Sequence, residues 1–211
     1  DDATLEQIVA GEARQLGDFA DGLYEARIRR NPDRIQVQLL RDGRAGETPV
    51  RITKGLTLDA GSDSLQVAYL LENLPPDRRL HFAVEMNFAG MPADAYGRNF
   101  HDIDGNTLGQ LGAKLDLRDV FGLALTDEWL DIDVGLKMSR PTNFWTYPVE
   151  TVSQSEGGFE LVHQSVAVLP HWHVEADHDG RWSVTMQLSL AAPRNVNDAH
   201  NPERAEPVAA L

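Results

Sequence analysis

From Tyr24 onward, apolar and polar residues alternate with a period of two in one run after another. Tyr24, Ala26 and Ile28 alternate with charged residues, and Ile35, Val37 and Leu39 do the same beyond the turn residues Asn31-Pro32-Asp33. Val50, Ile52, Leu56 and Leu58 follow, then the turn Asp59–Asp63, then Leu65, Val67, Tyr69 and Leu71. Pro75-Pro76-Asp77 breaks the pattern before Phe82, Val84, Met86 and Phe88, which place His81, Glu85 and Asn87 on the opposite face. Leu115–Leu125 and the set Leu130, Ile132, Val134, Leu136 and Met138 resume it, and Trp182, Val184, Met186, Leu188 and Leu190 give the cleanest alternation of all. A period of two is the mark of a strand with one face in a core and one toward water or a partner.

Four stretches depart from that pattern. Residues 4–16 predict a helix: Thr4 and Gln7 form a capping-box pair, Leu5, Ile8 and Val9 share a face, and Gly17 supplies the stop. Residues 89–112 are rich in Gly, Asp and Asn and predict a long irregular loop. Ser139-Arg140-Pro141 and Gly157-Gly158 predict turns on either side of a strand. About ten strands joined by hairpin-type connections predict an all-β fold, an antiparallel two-sheet sandwich with one short N-terminal helix. No internal repeat or midpoint linker divides the chain, so residues 1–190 are expected to form a single domain. Residues 191–211 are expected to be a disordered tail of Asn, Asp, Pro, Glu and Ala.

Composition narrows the partners. The 211 residues carry 19 basic and 33 acidic side chains, a net charge of −14. Such a surface repels phosphate backbones, which excludes nucleic acid and anionic membranes as expected partners. Cysteine is absent, so disulfides and thiolate metal sites are excluded and a reducing, cytoplasmic setting is expected. No apolar run reaches the ~18 residues of a membrane span. The start, Asp1-Asp2-Ala3-Thr4, has neither an initiator Met nor a signal-peptide pattern, and the expectation is a piece of a longer chain.

Candidate chemistry is sparse. His163, His171, His173 and His178 cluster in sequence, and His171-x-His173 would place two rings on one strand face, yet spacing alone does not make a metal site. Asp102-Ile103-Asp104-Gly105-Asn106 has the start of a calcium loop, but the twelfth position is Ala113 rather than Glu, so a turn is the expectation. Gly-x-Ser-x-Gly, Gly-x-Gly-x-x-Gly and Walker patterns are missing, and no catalytic residue or cofactor is predicted. The densest mixture of aromatic and uncharged hydrogen-bonding groups is Asn143–Phe159. Trp145 and Tyr147 share a strand face, and Glu150 and Gln154 follow; His171 and Trp172 come next in the chain. Aromatic rings can stack on the C–H face of a sugar while Glu and Gln bond its hydroxyls. The same residues can equally pack against a core or a neighbouring domain.

The order Ser139-Arg140-Pro141, Trp145, Tyr147-Pro148-Val149-Glu150-Thr151-Val152-Ser153-Gln154-Ser155-Glu156-Gly157-Gly158-Phe159-Glu160 resembles the signature of the C-terminal β-sandwich domain of glycoside hydrolase family 57. Gln164 and Leu169-Pro170-His171-Trp172 are similar to the same domain, as are Leu16–Ala20, Tyr24-Glu25, Tyr69-x-x-Glu72-Asn73 and Glu85-Met86-Asn87. The family includes α-amylase-like enzymes and 4-α-glucanotransferases. The resemblance implies a sandwich of galactose mutarotase-like fold whose first strands begin upstream of Asp1. It also implies an N-terminal (β/α) barrel that carries the catalytic carboxylates, none of which matches a residue here.

Three readings follow. The first is a non-catalytic accessory domain of an α-glucan-processing enzyme, supporting the catalytic barrel and contacting an α-glucan or oligosaccharide through Trp145, Tyr147, Glu150, Gln154, His171 and Trp172. The second is a purely structural module in which those residues form the inter-domain interface. The third is an aldose epimerase-like enzyme, with a His and a Glu as acid and base.

Overall fold

The structure is a computed structural model and describes residues 3–89, 94–155 and 158–191. A short helix, α1 (Leu5–Val9), precedes twelve strands: β1 (Glu25–Asn31), β2 (Arg34–Ala45), β3 (Thr48–Asp59), β4 (Ser64–Glu72), β5 (Leu80–Ala83), β6 (Met86–Ala89), β7 (Arg98–His101), β8 (Thr107–Gln110), β9 (Leu115–Asp127), β10 (Ile132–Ser155), β11 (Gly158–Val174) and β12 (Trp182–Ala191). Every described strand pair is antiparallel. The main path runs β1-β2-β3-β4-β12-β10-β9-β7-β8, and β11 adds a branch that pairs with β10, β5 and β6.

The sandwich is closed by β10, which serves both layers. Its first part, Asp133–Met138, pairs with β12, and its second part, Asn143–Ser155, pairs with β11. Between them the ladder with β9 loses register from Lys137 to Thr142. There the expected turn Ser139-Arg140-Pro141 is a strand segment instead. Pro141 has no N–H to give a ladder, and Ser139 Oγ accepts from the Thr185 N–H at 2.9 Å, so the chain bends without leaving the sheet. The core lies between the layers. Val50, Ile52, Val67, Tyr69, Leu71, Val184 and Met186 come from the first layer, and Phe144, Val166, Val168, Trp172 and Val174 come from the second.

Two further expectations are corrected. The helix covers Leu5–Val9 rather than 4–16. Its capping box forms as read, with Gln7 N–H donating to Thr4 Oγ1, but Gly11 takes φ +70 and turns the chain away. A left-handed glycine beyond the last turn is a helix stop, and Gly11 takes the role assigned to Gly17. The expected loop at 89–112 contains two short strands, β7 and β8, around the turn 102–106. Asp102 Oδ1 accepts from the N–H of Asp104 (2.9 Å) and Asn106 (2.8 Å), and Oδ2 accepts from Asn106 Nδ2 (2.8 Å), so this carboxylate is spent on closing a turn. The tail expected at 191–211 lies outside the described residues, save Ala191 at the end of β12, and so does Gly157 of the expected Gly157-Gly158 turn. Among the described residues no helix is long and apolar enough to cross a membrane.

Candidate functional site

The β10–β11 ladder decides where each candidate side chain goes. Asn143 stands opposite His171, Trp145 opposite Leu169 and Tyr147 opposite Ala167. Residues paired across strands share a face, so these six lie on the outer face of the second layer, and Phe144, Thr146, Val168 and Trp172 lie on the inner one. Both faces are buried here. α1 covers the outer face: Leu5 packs with Trp145, Ala167 and Leu169, and Ala3, Ile8, Val9, Tyr147 and Val149 fill in around them. A five-residue helix has little stability of its own, and this apolar contact is what holds it.

Trp145 is therefore a buried ring, 5% exposed, under the helix. Tyr147 is half-buried beside it, and burial pushes its hydroxyl pKa up, with the Glu85 carboxylate adding to the effect. His171 stacks on Trp145 with ring centroids 3.8 Å apart. Trp172 points the other way, into the core, where its Nε1–H donates to Thr142 Oγ1 at 2.9 Å and its ring meets Phe82 and Trp182.

Glu150 and Gln154 stand apart. They are exposed, lie beyond a β-bulge, and by alternation fall on the opposite face of β10 from Trp145. The six candidates thus divide into an outer group (Trp145, Tyr147 and His171), an inward Trp172, and a distal pair.

The structure adds His81, which alternation had placed opposite Phe82 but which sequence spacing did not join to the later histidines. β5 pairs His81 with His173. The rings stack with centroids 4.6 Å apart, and His81 Nε2 lies 2.9 Å from His171 Nδ1. The His171 imidazole is held neutral. Burial is the main cause, the neighbouring His81 adds to it, and the pKa is pushed down to about 3. His171 Nε2 is buried with no hydrogen-bond partner. His163 lies opposite Glu150 and His178 sits in the turn after β11, so the four histidines do not converge. Among the described residues no three metal-ligating side chains come together.

Where the bend of β10 meets the end of β11, a cleft of about 390 Å³ opens. Asp119, Arg140, Asn143, His173, Glu175 and Trp182 line it, together with the edges of His171 and Trp172. Asp119 takes φ +53, and its N–H donates to Asn143 Oδ1 at 3.0 Å. Arg140 lies over the Trp182 ring at 4.8 Å. The cleft combines carboxylates, an amide, a guanidinium, imidazoles and an indole, the groups that bond hydroxyls and stack on C–H faces. Asp119, Arg140 and Glu175 come from three strands or their ends, so no local motif announced them.

Residues 1–186 match the family described as α-amylase/4-α-glucanotransferase, C-terminal. The chain belongs to this family. Among its relatives is a 4-α-glucanotransferase of Thermococcus kodakarensis, 26% identical over 176 residues, which span 83% of this chain and 23% of that protein. An α-amylase of Pyrococcus horikoshii is 24% identical over 163 residues, 77% of this chain and 21% of that one. A C-terminal domain of this family thus spans less than a quarter of the curated relatives it matches. In structure it is similar to the 4-α-glucanotransferase of Thermococcus litoralis, with a TM-score of 0.59, 21% identity, and coverage of 89% of this chain and 26% of that one. It is also similar in fold to a putative aldose 1-epimerase of Escherichia coli, with a TM-score of 0.52, 14% identity, and coverage of 82% and 69%. The chain is thus an antiparallel sandwich that shares its fold with both.

Proposed function

We propose that this domain is the non-catalytic C-terminal sandwich of an α-glucan-processing enzyme, an α-amylase or 4-α-glucanotransferase. It supports the catalytic portion and contacts the glucan chain through the cleft beside His171. The observation that carries the reading is the family match over residues 1–186, in a chain that spans 23% of a 4-α-glucanotransferase relative. The cleft supports the glucan contact. Asn143, Asp119 and Glu175 offer acceptors for sugar hydroxyls, Arg140 and Asn143 offer donors, and Trp182 offers an apolar face. Trp145 and Tyr147 serve by holding the outer face together under α1, with His171 between them and the cleft. The lack of cysteine suits a cytoplasmic enzyme.

The test is a titration of the ¹⁵N-labelled chain with maltohexaose. Shifts confined to Asn143, His173, Glu175 and the Trp182 indole, lost in Asn143→Ala, are expected. Unchanged spectra at millimolar sugar would leave the supporting role alone. Polarimetry of fresh α-D-glucose with and without the chain separates this reading from epimerase activity.

A further inference from the structure

Beyond Thr146, β10 has no partner on its β9 side, and before Ser165, β11 has none on its β6 side, among the described residues. The β10–β11 hairpin therefore runs out past the sandwich as a two-stranded arm. Its ladder carries one irregularity, between Val149 and Glu150: Ser165 faces Val149 and His163 faces Glu150, so Gln164 is the extra residue. The Gln164 amide donates to Thr151 Oγ1 at 3.0 Å and to the Val162 carbonyl at 3.3 Å, which pins the bulge.

That one residue re-phases β11. Before the arm, Val166 and Val168 face the core; across the bulge the inward positions become His163, Leu161 and Phe159. They line up with Glu150, Val152 and Gln154 of β10, which continue the inward face of Phe144 and Thr146. The underside of the arm thus continues the core lining, and beyond His163 its apolar side chains are exposed. Val152 is 67% exposed, Leu161 66% and Phe159 79%, and both ring nitrogens of His163 are buried there without a hydrogen-bond partner. Without the bulge, Leu161 and Phe159 would lie on the other side from Val152, and Val162 would stand opposite it instead.

We infer that the underside of this arm is the seat of the remainder of the polypeptide, and that Val152, Leu161 and Phe159 are the apolar contacts joining the sandwich to the catalytic portion. This rests on the reading of the chain as an accessory domain. The occupant follows from length and charge. Relatives are more than four times as long as the segment matched, so most of such a protein lies outside this chain and must meet it somewhere. A second copy is disfavoured by a net charge of −14 on each.

The experiment is hydrogen–deuterium exchange of the 211-residue chain and of the full-length polypeptide under one condition. Amides of residues 151–154 and 159–162 are expected to exchange at least about tenfold more slowly in the full-length protein, and Val152→Asp with Leu161→Asp should abolish that difference. Equal exchange in the two wild-type proteins would overturn the inference without any variant. So would protection that grows with the concentration of the short chain alongside a dimer in sedimentation, which would assign the seat to a second copy. Glucan conversion by the full-length protein is measured in parallel. Activity with an unprotected arm sinks the seat and leaves the function, whereas a protected arm with no glucan conversion does the reverse.

Discussion

The imidazole of His171 lies against the indole of Trp145, ring centroids 3.8 Å apart and planes tilted by 29°, in a layer closed above by Leu5 of α1. His171 has burial against its charged form, and around it are His81 from β5, His173 from its own strand, and Asp116 and Arg118 from β9; of these only Asp116 favours the cation. The folded pKa, about 3, is well below the ordinary value of about 6.5. Between those values the unfolded chain binds a proton that the folded chain refuses. The contribution of this group is therefore complete above pH 6.5 and declines as the pH falls toward 3, by up to about 1.4 kcal/mol per pH unit. Urea denaturation at pH 7.5 and 4.5 measures it. His171→Phe should reduce the loss of stability between those values, and an unchanged difference would show that the imidazole titrates normally.

Truncating the helix contact tests the outer layer. Leu5→Ala should cost about 2 kcal/mol, and Thr4→Ala, which removes the cap, about 1 kcal/mol. The specific readout is acrylamide quenching in a background with Trp129→Phe and Trp182→Phe, where only Trp145 under the helix and Trp172 in the core remain. Quenching should rise in Leu5→Ala; a rise equal in Ile28→Ala, far from the helix, would speak against the latch.

In the inner layer, Trp172→Phe keeps a ring beside Phe82 and Trp182 but loses the donor to Thr142 Oγ1. The Thr142 hydroxyl, 1% exposed, then keeps only its donation to the Arg140 carbonyl, and the loss should cost about 1 kcal/mol in denaturant unfolding. The double variant with Thr142→Val also removes the donor to the Arg140 carbonyl, so it should be no more stable than Trp172→Phe alone.

The ion pair between Arg98 Nε and Asp127 Oδ2, 2.7 Å apart, has side chains 5% and 14% exposed and ties β7 to the end of β9. Asp127→Asn removes the carboxylate charge beside the buried Arg98 guanidinium and should cost about 3 kcal/mol by chemical denaturation. Reversal of the exposed pair Arg34–Asp59 should change stability by less than about 1 kcal/mol in the same assay.

Most of the strands were readable because one face of each is wet and the period of two survives. The exceptions share a cause. From Ser165 to Trp172, β11 is buried on both faces, so the run Val-Ala-Val-Leu-Pro carries no alternation to mark which residues face the core. Only the pairing with β10 shows that Leu169 goes to the helix side and Val168 to the core. The helix was readable at its start, where Thr4 and Gln7 act on neighbours, and misjudged at its end, where Gly11 stood closer than Gly17. Trp145 and Tyr147 were correctly placed on one face, but no pattern in the strand reveals that a helix 140 residues earlier lies over it. The cleft was the least legible. Asp119, Arg140 and Glu175 meet there only because β10 bends at Pro141 and brings the first half of β9 to the end of β11.

The double membership of β10 also governs how the molecule comes apart. A strand hydrogen-bonded to β12 at one end and β11 at the other gives neither layer a boundary at which to melt alone, since loosening one withdraws a member from the other. The two layers are therefore expected to unfold together. Assembly of the domain is set by pairings remote in sequence: β12 must find β4, joining Met186 to Val67 across more than a hundred residues. Closing so long a loop before any contact rewards it makes folding slow. Until β12 has left the ribosome and docked, β4 and β10 lack the strand that joins them, and the newly made chain is exposed to aggregation for that interval.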